Sequence, residues 1–330
     1  MFLKTLNKRG NMNNELLKMP KVELHLHLDG SIPIYVLEKL SNLSYDEVYS
    51  KAVSINDNKL SDYLERFNFI NSLIKTKEDL DLVSFSLGKE LEKENVIYAE
   101  VRFTPIDYAS DNLSADDVIK SVLSGFSKCN LKTNLILCMR RGANYAYNRR
   151  VVDLAYKYLN RGVVAVDLVG DEENYPFADY EVLFDRCKKL NIPVTIHAGE
   201  VTKRDIKNII PYTKRIGHGI KIHDDAKLIN LVKDNKILLE VCPNSNLDTN
   251  NATDYTHHPI RKLYSIGVKV SVNTDNRVVS NISLTEEYSN LINFLNFTID
   301  DLYQMNLDAI DYAFLSKREK RELKDKLMEK

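Results

Sequence analysis

"PKVELHLHLDGS", residues Pro20–Ser31, alternates Leu24, Leu26 and Leu28 with His25 and His27, then runs into Asp29 and Gly30. A period of two is that of a β-strand, whose successive side chains point to opposite faces. The two imidazoles therefore share one face. Such a pair either packs within a core or forms half of a metal site, and His-x-His alone does not decide between them.

Reading outward, the same kind of apolar run recurs: 22–28, 96–103, 133–139, 163–169, 193–198, 215–219, 237–242 and 268–274. Between these runs lie amphipathic stretches with helical spacing, among them 77–94, 114–129 and 179–190. Several strand runs are apolar on both faces, as strands buried in a parallel sheet are. Eight strands alternating with helices predict an α/β protein, a closed (β/α)8 TIM barrel. The alternative is an open doubly wound sheet. No G-x-G-x-x-G or G-x-x-x-x-G-K-[ST] follows a strand, so nothing supports a phosphate-cradling loop of that fold. Residues 32–95, between the first two strands, exceed one helix and predict an extra helical lid over the barrel mouth.

The chain of 330 residues is 44% hydrophobic, enough for a large core, and its net charge is −1. That balance draws the molecule to neither nucleic acid nor an anionic membrane. The 18 tyrosines are dispersed and make no stacking platform. Residues 1–18 read as a flexible lead-in or short helix, with Met1 or Met12 as the start, and residues 19–330 as one domain. The lead-in lacks a sustained apolar stretch, and no window approaches a membrane span. Four cysteines without a recurring spacing fit a reduced, cytoplasmic chain. The charge-rich stretch from Ser316 to Lys330 reads as a solvated helix.

In a barrel, chemistry collects at the C-terminal ends of the strands. Those ends carry His25, His27 and Asp29; Glu100 and Arg102; Asp167 and Gly170; His197 and Glu200; His218; "CPNSN"; and Asp275 and Asn276. Four of the seven histidines fall there. Three imidazoles and a carboxylate suit Zn²⁺ with one position left for water, whose pKa the metal lowers toward neutrality. Glu200, three residues past His197, stands within reach as a proton donor, and His218 as a group that accepts or orients the water's hydrogen. Glu100 and Arg102 share a strand face and read as an ion pair inside the barrel.

"PKVELHLHLDGS", "HAGE", "GHG", "CPNSN" and "NTD", in this order, resemble the adenosine deaminase family of the amidohydrolase superfamily from about Pro20 to Ser316. The resemblance implies a hydrolase acting on a cyclic amidine C–N bond, with one zinc ion per subunit. It matches His25, His27, His197 and Asp275 to the zinc ligands, Glu200 to the acid that protonates N1 of the purine, and His218 to the histidine that activates the water. It matches Asp29 to the residue holding a ribose hydroxyl and Gly170 to a backbone contact with N3. It places Leu60, Tyr63, Leu64 and Phe67 on a lid helix over the substrate. For these four, packing in the core is the competing reading.

The family includes enzymes for adenosine, for adenine and for nucleotides. "HLDG" at residues 27–30 points to the nucleoside, because Asp29 accepts a hydrogen bond from a sugar hydroxyl and repels a phosphate. Adenine is the alternative substrate, and an inactive metal-binding paralogue a third reading, opposed by intact Glu200 and His218. The sequence departs from the family at Asn276, where many relatives carry aspartate. An amide donates at any pH, so Asn276 suits the acceptor N7. The strand at 163–169 has no lysine that a second metal would use. Oligomeric state and the role of Arg277 are not legible, and His257, His258 and His223 read as structural.

Overall fold

In a computed structural model, residues 14–54 and 60–329 are described, with the side chains of 60–64 excepted. All eight expected strands form: β1 (Lys21–His27), β2 (Val96–Phe103), β3 (Lys132–Arg140), β4 (Val163–Val169), β5 (Ile196–Ala198), β6 (Arg215–His218), β7 (Leu238–Val241) and β8 (Lys269–Val272). They pair in parallel as two four-stranded runs, β1 to β4 and β5 to β8. Two narrow seams close these runs into a (β/α)8 barrel. At one, Val166 donates to the Pro193 carbonyl and accepts from Thr195, both at 3.0 Å. Val194 makes only an isolated bridge to Val166 there, so the continuous strand β5 starts later than its apolar run.

At the other seam, His27 N–H donates to the Asp275 carbonyl at 2.7 Å, and Asp275 N–H to the His25 carbonyl at 3.0 Å. Asn273 Oδ1 accepts from the N–H groups of Leu24 (2.9 Å) and His25 (3.1 Å). Buried Glu23 accepts the backbone N–H of Thr274 at 3.0 Å. The closure of the barrel and the placement of His25, His27 and Asp275 are thus one set of bonds.

The expected lid region holds three helices, Ile34–Ser41, Tyr45–Ala52 and Leu60–Ser72, before the helix Lys77–Lys93. Ser44 with Glu47 and Thr76 with Asp79 form capping boxes that start two of these four helices. Val36, Leu37, Val48 and Ile70 are buried beneath them. Residues 14–18 are helical and Leu16 is buried, so ordered chain precedes β1, whereas Met12 lies outside the described residues. Among the described residues, no helix is long and apolar enough to cross a membrane.

Two expectations are corrected. The C-terminal helix Lys317–Met328 is solvated on one face only. Its Leu323 and Leu327 pack with Val22, Leu24, Tyr98 and Leu238 under the N-terminal end of the barrel. Glu100 and Arg102 both point inward but have other partners. Arg102 pairs with Asp167 at 2.6 Å and Glu240 at 2.7 Å, while Arg215 takes Glu100 and, at 2.6 Å, Glu240. Residues two apart on a tilted strand share a face but differ in depth, so each meets charges from strands across the interior. Arg102→Met would strand Asp167 and Glu240 as buried carboxylates short of a cation. A loss of about 3–5 kcal/mol in denaturant-unfolding stability is expected.

Candidate metal centre and active site

The strand period carries through: His25 and His27 face one way, with ring centroids 5.5 Å apart. β5 adds His197, and the turn after β8 adds Asp275 in a left-handed conformation, φ 61°. Ligand atoms of these four residues all lie within 4.8 Å of one another. His27 Nε2 is 3.4 Å from His197 Nε2, and Asp275 Oδ1 is 3.4 Å from His25 Nε2 and 3.3 Å from His27 Nε2.

Outer partners orient this cluster. Glu240 Oε2 sits 3.0 Å from His25 Nδ1, and Asp167 Oδ2 is 2.8 Å from His197 Nδ1. Each carboxylate takes the outer ring nitrogen and leaves the Nε2 lone pair facing inward, as around bound metals. Ser245 Oγ donates to Asp275 Oδ2 at 2.6 Å. Among the described residues, buried His25 Nε2 finds no hydrogen-bond partner. Burial lowers the pKa of His27 and His197, which favours neutral imidazoles, whereas at His25 burial is outweighed by the hydrogen bonds to Asp275 and Glu240, which raise it. Neutral inward nitrogens and one carboxylate fit a divalent metal. Cys242 also borders His25, His218 and Asp275, but burial pushes its thiol well above the ordinary range. That shift disfavours the thiolate form that a metal would bind.

Glu200 lies beside the cluster. Its Oε2 is 3.6 Å from His218 Nε2, and its Oε1 is 3.3 Å from Thr249 Oγ1 and 3.4 Å from Asn251 Nδ2. Burial first, then Asp275 and Glu172, raise its pKa to about 8. Its loop is held by a residue that the sequence did not single out. Buried Glu172 accepts the N–H groups of Gly199 and Thr202, both at 2.9 Å, and that of Val201. One acid within "GDEEN" carries no mark that separates it from its neighbours.

Asp29 opens the turn Asp29–Ser31 after β1 and is half-buried, its Oδ1 accepting Gly30 N–H at 3.2 Å. Burial, with smaller contributions from Asp107 and Asp275, raises its pKa to about 6. Asn276 is buried against Gly30: a Cβ on Gly30 would come 1.9 Å from Asn276 Oδ1. That contact accounts for the glycine in "HLDG". Gly170 ends β4 at φ 100°, where an added Cβ would meet nothing closer than 3.6 Å. Backbone conformation, rather than space, requires glycine there.

The lid helix is present, and half-buried Phe67 packs against the core. The side chains of Leu60, Tyr63 and Leu64 lie outside the described residues. Arg277 pairs with Glu94 and stands 3.7 Å from Glu23, tying the turn after β8 to the end of the helix before β2. His257 is exposed beside Asp254, His223 bonds the Ile220 carbonyl, and His258 is buried.

A (β/α)8 barrel that gathers three imidazoles and a carboxylate at its strand ends, with a half-buried acid alongside, is a metal-dependent hydrolase by class. Comparison with known proteins gives the particular family. The family model described as adenosine deaminase matches residues 20–330. The adenosine deaminase of Clostridium acetobutylicum is 36% identical over 96% of this chain and 99% of its own. The chain belongs to the adenosine deaminase family. Its fold matches the N6-methyl-AMP deaminase of Arabidopsis thaliana (TM-score 0.85, 23% identity, 96% of this chain and 98% of that one). It also matches an amidohydrolase of Burkholderia ambifaria with bound Zn (TM-score 0.81, 20% identity, 96% and 94%).

Proposed function

We propose that the protein is a zinc-dependent adenosine deaminase of purine salvage. It converts adenosine, and 2′-deoxyadenosine, with water into inosine or 2′-deoxyinosine and ammonia. The carrying observation is Glu200, a half-buried carboxyl with pKa about 8 beside a four-residue cluster fit to hold a metal. Such an acid is protonated at neutral pH and has a proton to give. His25, His27, His197 and Asp275 hold one zinc ion. When bound, the metal supplies the Lewis acidity that makes a water nucleophilic at neutral pH.

The chain's residues do the rest. Glu200 gives its proton to N1 of the purine, so the ring accepts the electrons when water oxygen adds to C6. Asp275 and His218 stabilise the incoming oxygen. Of the two protons the water gives up, one leaves with the amino group as ammonia and the other returns to Glu200, while the oxygen remains on C6. Asn276 donates from its amide to N7, and the Gly170 N–H to N3. Leu60, Tyr63, Leu64 and Phe67 cover the base. Residues 19–330 act as one catalytic domain behind the 1–18 lead-in, and the cytoplasm is the setting that the free cysteines suit.

Asp29 selects the nucleoside by accepting a ribose hydroxyl. Above pH 6 it is ionised, and losing a hydrogen bond to a charged group costs about 1.5–3 kcal/mol. Asp29→Ala is therefore expected to raise KM for adenosine about 10- to 100-fold. Adenine turnover that is unaffected by the change and exceeds that of adenosine would refute the sugar contact. Asn276→Ala is expected to lower kcat/KM for adenosine about 10-fold, the worth of one hydrogen bond, but not for the 7-deaza analogue. Equal losses on both substrates would remove the N7 role.

A further inference from the structure

His218 has a second nitrogen, and what surrounds it decides what His218 can do at the first. Its Nδ1 lies 3.2 Å from Asn246 Nδ2. The other end of that amide, Asn246 Oδ1, lies 3.2 Å from His258 Nε2. His258 Nδ1 in turn lies 3.2 Å from the backbone N–H of Ile260. Asn246 and His258 are buried, as is His218.

Donor and acceptor roles propagate along this chain without ambiguity. A backbone N–H only donates, so His258 Nδ1 accepts. A neutral imidazole with an accepting Nδ1 carries its proton on Nε2. Burial supports the neutral form, lowering the pKa of His258 to about 3. His258 Nε2–H therefore donates, and the atom of Asn246 that faces it is the carbonyl oxygen. That orients the amide NH₂ toward His218, whose Nδ1 must then accept. The proton of a neutral His218 is left on Nε2, the nitrogen that faces Glu200 and the metal-ligand cluster.

We propose that Asn246 and His258 are positioning residues that hold His218 as its Nε2–H tautomer, so that it faces the reacting oxygen as a hydrogen-bond donor rather than as a base. The catalytic part of this assignment rests on the deaminase reading above; the tautomer does not. The resemblance to the family gives His218 the task of activating water. The relay makes it instead a fixed donor, aimed where an oxygen becomes bonded to C6 of the purine. A preorganised donor there costs no reorientation during the reaction. The short helix Pro243–Asp248 serves both sides of the site, since Ser245 donates to Asp275 and Asn246 to His218. His218 holds φ at 62°, in the left-handed region that few residues other than glycine adopt.

The test is nuclear magnetic resonance of the zinc-loaded protein labelled with ¹⁵N-histidine, where ring correlations distinguish Nε2–H from Nδ1–H. The His218 signals are assigned by their loss in His218→Asn. Expected are Nε2–H patterns for His218 and His258 in the unmodified protein. Asn246→Asp replaces the donor by an acceptor and is expected to move the His218 proton to Nδ1. Its kcat should fall about 10²- to 10⁴-fold, the scale of a wrong tautomer, with KM within about threefold. His258→Gln, whose side-chain NH₂ can still donate to Asn246, is expected to retain more activity than His258→Leu.

An Nδ1–H pattern for His218 in the unmodified protein would overturn the proposal. So would an Asn246→Asp variant that keeps the Nε2–H pattern and full kcat. Because the tautomer is read without turnover, an Nε2–H pattern in a protein inert toward adenosine would retire the deaminase reading and leave the relay standing.

Discussion

Glu200→Gln is expected to lower kcat/KM for adenosine by about 10²–10⁴-fold, the usual worth of a positioned general acid. Glutamine keeps the shape and the contacts to Thr249 and Asn251 but has no acidic proton for N1. Metal content and thermal stability should therefore stay close to those of the unmodified protein. The pH profile separates this loss from a packing defect. On the proposed reading Glu200 acts in its protonated form, and burial first, then Asp275 and Glu172, raise its pKa to about 8. The active fraction is therefore full well below pH 8 and falls as pH rises through it. On the same reading Asp29 holds the sugar as an anion, and its carboxyl, raised by burial to about 6, adds an acid limb. A bell-shaped kcat/KM between about 6 and 8 is expected. In Glu200→Gln the residual activity should lose its alkaline limb. An alkaline limb that persists near 8 would assign it to another group.

Removing the metal is expected to abolish turnover and to lower stability together. The residues proposed as ligands come from three places around the barrel: His25 and His27 on β1, His197 on β5, and Asp275 after β8. Held by these residues, an ion would link Asp275 after β8 to His25 and His27 on β1, across a seam with few backbone bonds. A metal bound only by the folded state, at about 1,000 times its Kd, adds about 4 kcal/mol. Chelator-treated protein should therefore melt at lower temperature, and stoichiometric zinc should restore both melting temperature and activity. Activity that survives verified loss of metal would contradict the assignment of these four residues.

Most of this site was legible because barrel strands leave a periodic trace. Leu24, Leu26 and Leu28 set the face of His25 and His27, and the ends of later apolar runs marked His197, His218 and Asp275. What stayed hidden was what periodicity does not encode. Glu172 lies on the loop after β4, where side-chain direction follows from backbone geometry instead of spacing; Asn246, in "CPNSN", and His258, before Pro259, were legible as loop-ordering residues, but their links to each other and to His218 were not. Glu100 and Arg102 misled because a shared face was read as a shared depth. Leu323 and Leu327 are one helical turn apart, but eleven charged residues between Ser316 and Lys330 masked their apolar stripe. Gly30 is the converse case: its need for glycine is a packing fact, imposed by Asn276 from the other side of the seam.

The most direct test of the central claim is an ultraviolet assay of the purified, zinc-loaded protein on adenosine, adenine and AMP in parallel, repeated after chelation. The account predicts loss of adenosine absorbance with stoichiometric ammonia, little turnover of adenine or AMP, and silence after the metal is removed. Preferential turnover of adenine or AMP would show that Asp29 does not select a nucleoside. Inertness toward all three, with metal bound, would contradict the account.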